Sequence, residues 1–524
     1  MSAIITDQFR ILNSKNFITS VGSTDNCFYS FVGLTNASDY DPNWDQNPIA
    51  PIDSFNYQND IWDTIVGLTK INTNDVRQVI RKITWTSGNT YDMYRHDVSR
   101  EKISNPSNQT SLYYSNYYVI NSDYRVYICL HNGVDPENTE GRPSLDEPTF
   151  TDLEPRSAGE SGDGYIWKYL YTIKPSEVVK FESTNYIPVP SDWKTNVDYS
   201  AVRDNAQSSG QLKIATITNR GSGLGTSRTY TNVDIIGDGD GGKATVVVGE
   251  DSTVESVNIT SGGSRYTYGK LDLASGGLII SSSATEPEFD VIIPPYGGHG
   301  SDIYRELGAY NVLVYSRIEN DIENPDFVTG NRIARVGIIR NPQKYGSTEL
   351  LETDKVSALG ALKLIGITNS DDYQNALFTI NQEITQTVGT GVTAIGRVIS
   401  YDNKTGVLKY WQDRSIVGFQ TGSSSLSNLP PLYGYKLNSF TSSPDSSDLT
   451  IKGGSIDLKI DDNFSGITTV INNTTTYNLG QSFDFGVSNP EVEKYSGDII
   501  YIDNRPSITR SNNQKEDIKV ILQF

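Results

Sequence analysis

What most constrains this chain is how its apolar runs end. Short stretches of β-branched and aromatic residues stop repeatedly at glycine, asparagine or serine, as in ATITNRGSGLG from Ala215 and VNITSGGSRYT from Val257. Threonine, tyrosine and valine fit a pleated, half-buried surface, and glycine or asparagine supplies the positive-φ turn that ends it. A chain of 524 residues with 45 glycines and 32 tyrosines is therefore expected to fold mainly as sheets. Charged residues make up 20% and aromatics 10%, a mixture that builds a core rather than staying disordered.

The same composition removes several functions. Lysine and arginine number 43 against 63 acids, a formal charge of −20, and no basic run offers a local patch for a phosphate backbone. Nucleic acid is not an expected partner. No stretch approaches the about 18 apolar residues of a membrane span, and MSAIITDQFR lacks the charged and apolar regions of a leader. A membrane is not an expected partner either, and synthesis in the cytoplasm is expected. Cys27 and Cys129 lie in strand patterns without a local base and are expected as buried thiols. His96, His131 and His299 are scattered, and GxSxG, HExxH and CxxC are missing. No catalytic residue, cofactor or metal ligand is expected, and the chain is not expected to be an enzyme.

Along the chain, CFYSFVGL from Cys27 reads as a strand. Ile61, Ile65 and Leu68 behind Asn59 and Asp60, and Val76, Val79, Ile80 and Ile83 behind Asn74, recur at helical spacing and predict two short helices. NYYVINSDYRVYIC from Asn116 predicts two strands around a turn at 121–123, and 131–162 a long loop. Residues 212–294 hold two copies of a strand running into a Gly-Ser turn, an internal repeat expected to form a compact hairpin-built module. LGAYNVLVYSRI and RIARVGIIRNP predict buried strands, 349–364 a helix, and 378–412 a second glycine-punctuated module with a hairpin turn at Asn403–Lys404–Thr405–Gly406. Residues 422–447 read as a linker. The expected fold is mainly β, in sandwich-like layers with a few short helices. A main body over 1–200, 296–365 and 481–524 is interrupted by inserted modules at 201–295 and 366–480.

Two patterns invite a functional reading. Tyr165, Trp167, Tyr169 and Tyr171 alternate with Ile166, Lys168, Leu170 and Thr172, so one strand would carry four aromatics on one face. Such a stripe packs a core or forms an interface platform for a sugar or protein. Gly237–Lys243 has the spacing of a phosphate loop, but Ala244 stands where a hydroxyl is needed and TVVV continues as strand, so a glycine-rich turn is expected. Asp238 and Asp240 lack the closing Glu of a calcium loop.

Several blocks, in order, resemble one family. They are ITSVGSTDNCFYSFVGL with IWDTIVGLTKINTNDVRQVIRKITW, NYYVINSDYRVYICL, SGDGYIWKYLYTI with NYIPVP, RVGIIRNP from Arg335, and SGDIIYIDNRPSITRSNNQKEDIKVILQF at the C-terminus. The chain resembles the baseplate wedge proteins encoded by gene 8 of T-even-type contractile-tailed bacteriophages. The resemblance implies a non-enzymatic, mainly β structural subunit of the virion tail baseplate, present as a homodimer within each wedge and bound to other wedge subunits. It further implies assembly in the host cytoplasm and a role as the baseplate rearranges at infection. Asp498–Phe524 is expected as a strand pair completing the main sheet, with Asn504, Arg505 and Pro506 as its turn and a candidate packing or interface site. The competing reading is a tail-associated receptor- or glycan-binding adhesin.

Overall fold

The computed structural model describes residues 3–35, 43–208, 210–320, 327–389, 392–412, 439–443, 451–511 and 514–524. The expected linker at 422–447 lies outside these residues except at 439–443. The chain is mainly strand, in antiparallel sheets with few short helices. It divides into two compact units. One is Met1–Ile18, Val76–Val314 and Val520–Phe524; the other is Thr19–Asp75 and Tyr315–Lys519.

In the first unit, the strands Tyr118–Ile120 and Arg125–Asn132 flank the expected turn, where Asn121 Oδ1 accepts from the amides of Asp123 and Arg125 at 3.0 and 2.9 Å. Tyr165–Thr172 adds a third antiparallel strand, with register shifts at Val126/Tyr127 and Cys129/His131. Val76–Arg81 is a strand and not the predicted helix; it lies between Tyr186–Pro188 and Asn311–Val314. Its spacing misleads because Val76, Gln78, Val79 and Ile80 are all buried, and a strand covered on both faces loses the simple alternation of a half-buried one. The helix Asp7–Val21 was not anticipated. Its apolar residues form no single inward stripe; Phe9 and Leu12 are half exposed, while Ser14 is fully buried and donates to Ala309 O at 3.0 Å.

Residues 212–293 of this unit surround a core of their own. The strands Val254–Ser264, Asp240–Val248, Arg228–Gly237 and Gly269–Asp272 form one sheet in that order, and Ile214–Asn219 pairs with Glu288–Ile292 in another. Leu212 N donates to Gly262 O at 2.9 Å and Gln211 N to Gly263 O at 2.7 Å, joining the two sheets along one side. Gly269–Asp272 runs beside Glu288–Ile292 on the other without a ladder between them, so the two sheets wrap one core as a six-stranded, barrel-like module. Ala244, Val246 and Val248 point inward and alternate with half-buried Lys243, Thr245 and Val247, the pattern of a strand with one face in a core. The two copies of the sequence repeat do not pair with each other: the first strand takes Glu288–Ile292 as partner and the second takes Asp240–Val248.

The second unit holds a five-stranded sheet in the order Lys355–Ser357, Ile65–Ile71, Phe28–Gly33, Arg332–Arg340, Asp498–Thr509. The predicted strands from Cys27 and Arg332 are thus neighbours, Phe28 opposite Arg340. Of the first predicted helix, the part actually helical is Phe55–Thr64, capped by Ser54; Ile65 and Leu68 belong to the following strand. The helix expected at 349–364 is replaced by the strands Lys355–Ser357 and Gly360–Gly366. The latter straddles the expected boundary at 365/366, since it pairs with Val407–Trp411 and Ile456–Ile460. Val392–Asp402 and Val407–Trp411 form the predicted hairpin, with Gly406 at φ 68°. Around them lies a second core that includes Leu362, Leu364, Ala394, Leu408 and Leu458.

At the C-terminus the predicted turn is absent. Asp498–Thr509 is one strand that runs through Asn504, Arg505 and Pro506. Arg335 faces Asn504 and Ile333 faces Ile508, so Arg505, Pro506 and Ser507 bulge opposite Ala334 alone. Proline is tolerated there because the strand is at a sheet edge and the bulge asks for no ladder hydrogen bond from its nitrogen. Nor do the last two strands form a pair: Lys515–Gln523 lies against Asn311–Glu319 in another sheet.

Candidate functional site

The aromatic stripe lies inside the first unit. Tyr165, Trp167 and Tyr171 are fully buried and Tyr169 half-buried, so no platform of four rings faces solvent. Lys168 and Leu170, on the other side of the strand, are also at 0% exposure; both faces are covered. Tyr165 stacks on Trp167 with centroids 5.3 Å apart, and Tyr91 meets both rings edge-on. The hydroxyls of Tyr165, Tyr117 and Tyr127 find partners, as burial favours. Tyr165 donates to Arg142 O at 2.7 Å and accepts from Tyr91 N at 2.8 Å. Tyr117 donates to Glu306 O at 2.6 Å and Tyr127 to Phe150 O at 2.5 Å. Burial pushes these phenols up, Tyr127 to about 12, so they remain protonated donors at neutral pH.

Behind the stripe sits a buried polar group that no sequence spacing announced. His299 Nδ1 lies 2.6 Å from Glu306 Oε1, and Gly300 N donates to Glu306 Oε2 at 2.7 Å. Tyr94 meets the His299 ring edge-on at 4.8 Å. Lys168 Nζ donates to Leu153 O and Asn205 Oδ1 at 2.7 and 2.9 Å; burial pulls its pKa down to about 8, against the attraction of Glu306. His299 and Glu306 are 3% and 1% exposed, so this pair ties the 299–300 turn to the helix Ile303–Glu306 without reaching solvent. The partners are seven residues apart, but the helix begins only at Ile303 and His299 lies in the turn before it, so no helix face joins them.

The other sequence candidates resolve similarly. Gly237–Lys243 ends one strand, turns at Asp238–Gly239 and begins the next at Asp240, and Asp238 accepts from Thr267 N at 2.8 Å and Thr267 Oγ1 at 2.6 Å. Asp240 pairs with Arg265, and Lys243 with Asp234. Cys27 and Cys129 are buried free thiols whose pKa values burial raises. Burial lowers His96 and His131. Among the described residues, no three His, Cys, Asp or Glu side chains gather where they could hold a metal, and no helix is long and apolar enough to cross a membrane. An open crevice of about 420 Å³ beside the stripe is lined by the glycine-rich loop from Arg156 to Gly164 with Tyr165 and Ile166.

The C-terminal candidates fall at a fastened edge of the second unit. Asn504 is half-buried and donates to Ile49 O at 2.7 Å, Trp44 Nε1 donates to Arg505 O at 2.7 Å, and Asp45 accepts from Ser507 N at 2.9 Å while pairing with Arg332. Arg505 and Pro506 are exposed. Arg335 is 3% exposed and lies over the rings of Trp44 and Tyr57, at 5.2 and 6.0 Å. The segment 43–57 thus satisfies backbone and side-chain groups that the bulge leaves open.

What these sites share is packing around surfaces. A comparison of the chain with protein families gives a match to the model described as Bacteriophage T4, Gp8, over residues 3–157 and 151–207. The baseplate wedge protein gp8 of Enterobacteria phage T4 is 25% identical over 210 residues, which is 36% of this chain and 60% of that relative. The chain therefore spans less than two thirds of the relative's length. The family match includes the blocks from Ile18, Ile61, Asn116, Ser161 and Asn185; those from Arg335 and Ser496 lie beyond it. The resemblance read from the sequence is thereby shown, and over residues 3–207 this chain is similar to the Gp8 family of bacteriophage T4.

Proposed function

We propose that the chain is a non-enzymatic structural subunit of a contractile-tailed phage baseplate wedge. It would join other wedge subunits during assembly in the host cytoplasm, remain in the virion tail baseplate, and follow the rearrangement of the baseplate at infection. The observation that carries this reading is the match of residues 3–207 to the Gp8 family, since those residues include the strands that enclose the aromatic core. Interfaces between such subunits bury about 1,200–2,000 Å² each, and the 32 tyrosines supply contact residues in excess of those the core consumes. A homodimer within each wedge is part of the proposal. Purified chain should have twice the monomer mass in solution and should co-purify with other baseplate subunits; a tight trimer that ignores them would favour an adhesin.

We further propose that 201–295 is an insert on the main body. The separate core of residues 212–293 supports this, because a module that encloses its own apolar residues can sit on a host as a long surface insertion at little cost. Replacing 212–294 by a short Gly-Ser bridge should leave a folded protein; aggregation would make the module part of the main core.

A further inference from the structure

The helix Asp7–Val21 meets the body through a polar side chain and turns apolar ones outward. Between Asp7 and Ile18 its one fully buried residue is Ser14, which donates to Ala309 O at 3.0 Å and accepts from Gln78 Nε2 at 2.8 Å. Ile11 and Ile18 lie on the same side and are half-buried. An α-helix turns about 100° per residue, so Phe9, Leu12 and Asn16 share an arc of about 60° on the opposite side. Phe9 and Leu12 are each 51% exposed there. Ile4 and Ile5, just before the Thr6 whose Oγ1 accepts from Phe9 N, are 87% and 64% exposed. A surface helix ordinarily keeps its apolar stripe inward. Single exposed apolar residues are common, but four gathered at one end of a helix form a patch.

That face also carries no acid. Among residues 3–16 the one acid is Asp7, which lies toward the body and pairs with Arg10 at 3.9 Å, while Arg10 lies over the Tyr310 ring at 5.9 Å. Lys15 is the one charge at the border of the outer face. Charge decides which partner such a face fits. The chain carries −20, so two copies repel each other wherever their acids meet. A basic partner is drawn to acids; a face without them is where a surface as acidic as this chain's own can approach.

We propose that the outer face of residues 4–16, centred on Phe9 and Leu12, is the seat of a second copy of this chain. A two-fold contact presents the same residues from both sides, so Phe9 and Leu12 of one copy meet Phe9 and Leu12 of the other. The steps of three and four residues from Phe9 to Leu12 to Asn16 are those of the seam between paired helices. Asn16 closes the apolar part with a polar group, as the rim of an interface does. Four apolar side chains are the centre of such a contact, to which each partner contributes about 20–30 residues in all.

The inference rests on the homodimer proposed above, and its test separates the two. Sedimentation equilibrium of the full-length chain is compared with that of a Phe9→Glu, Leu12→Glu variant. The unsubstituted chain should have twice the monomer mass. The variant should show a dissociation constant raised at least about a hundredfold, with the near-ultraviolet circular dichroism of the aromatic core unchanged. A folded variant that still pairs overturns the seam and leaves the homodimer standing; a monomeric unsubstituted chain overturns both. Where the variant loses the aromatic signal, Leu12 is instead replaced by the photo-crosslinking residue benzoylphenylalanine and the purified chain is irradiated. A species of doubled mass joined within residues 3–16 of the second copy is then expected. A bond elsewhere in that copy, a bond within the same chain, or no bond overturns the seam.

Discussion

The aromatic core of the first unit and the barrel-like module of the same unit bury apolar surface with different side chains. The core uses large rings with polar ends: Tyr91, Tyr117, Tyr118, Tyr127, Tyr165, Trp167, Tyr171 and Trp193 are all buried, and the tyrosine hydroxyls are tied to backbone carbonyls or amides. The module is mostly aliphatic, with Val233, Ala244, Val246, Val248 and Val254 beside larger Leu and Ile residues, one buried phenol, Tyr266, that donates to Ile235 O at 2.7 Å, and backbone bonds that join its two sheets at Gln211 and Leu212. A ring that must also place a hydroxyl has few alternative positions, so the core specifies one arrangement. The module owes its geometry to the ladder and to glycines at its seam, and its side chains have more freedom to be exchanged.

This contrast can be broken by substitution. Trp167→Ala should cost about 3–5 kcal/mol and abolish cooperative unfolding of the first unit at ordinary temperature, as followed by near-ultraviolet circular dichroism. Val246→Ala removes two methyl groups and should cost about 2 kcal/mol, with the aromatic signal retained. Equal losses would show that the two cores are one cooperative structure.

Backbone closure is tested at Gly262. A Cβ there would come within 2.4 Å of Leu212 O and 2.6 Å of Gly210 C, both backbone atoms that cannot rotate away. Gly262→Ala should cost about 1–3 kcal/mol and speed amide exchange at Leu212 and at its neighbours along that seam. If exchange there is unchanged, the seam does not depend on the close approach.

A weaker effect is expected where the module meets residues 95–102. Arg95 and Lys102 each bind both Asp97 and Asp290, a ring of four alternating charges at distances of 2.7–3.0 Å. Burial alone would raise the two carboxyl groups, but the hydrogen bonds and charges of Arg95 and Lys102 outweigh it and hold both below the usual range. A depressed folded pKa contributes stability that is complete above the unfolded value of about 4 and is lost as pH falls through the folded one. The contacts should therefore be indifferent to pH between 5 and 8 and loosen only below about pH 4. Asp290→Asn should cost about 1 kcal/mol or less, because the ring is partly solvated, and should flatten the acid limb of the stability curve. The smallest effect concerns the thiols. Cys27 and Cys129 should resist alkylation in the folded chain and react after denaturation, since burial raises both.

Much of this architecture was legible in the sequence where strands are covered on one face or end at glycine. Asp240–Val248 alternates cleanly, the hairpin at 403–406 carries its Gly at positive φ, and the 118–132 pair is set by Asn121. Legibility failed where burial is two-sided. Val76–Arg81 has apolar residues at helical spacing only because both of its faces are covered, and the helix Asp7–Val21 has no inward apolar stripe to see. Asn504–Arg505–Pro506 has the composition of a turn, yet the segment 43–57 satisfies the groups its bulge exposes, a contact made across more than 440 residues of chain. The His299–Glu306 pair was equally hidden, because its spacing follows a loop. The aromatic residues were visible; their burial on a strand with two covered faces was not.

The central claim is membership of a baseplate wedge, and quantitative mass spectrometry of purified contractile tails tests it most directly. This chain should be present in fixed proportion to the other wedge subunits, as a pair in each wedge, and should stay with the baseplate when sheath and tube are removed. Its absence from purified baseplates, or a trimeric stoichiometry confined to detachable fibres, would contradict it.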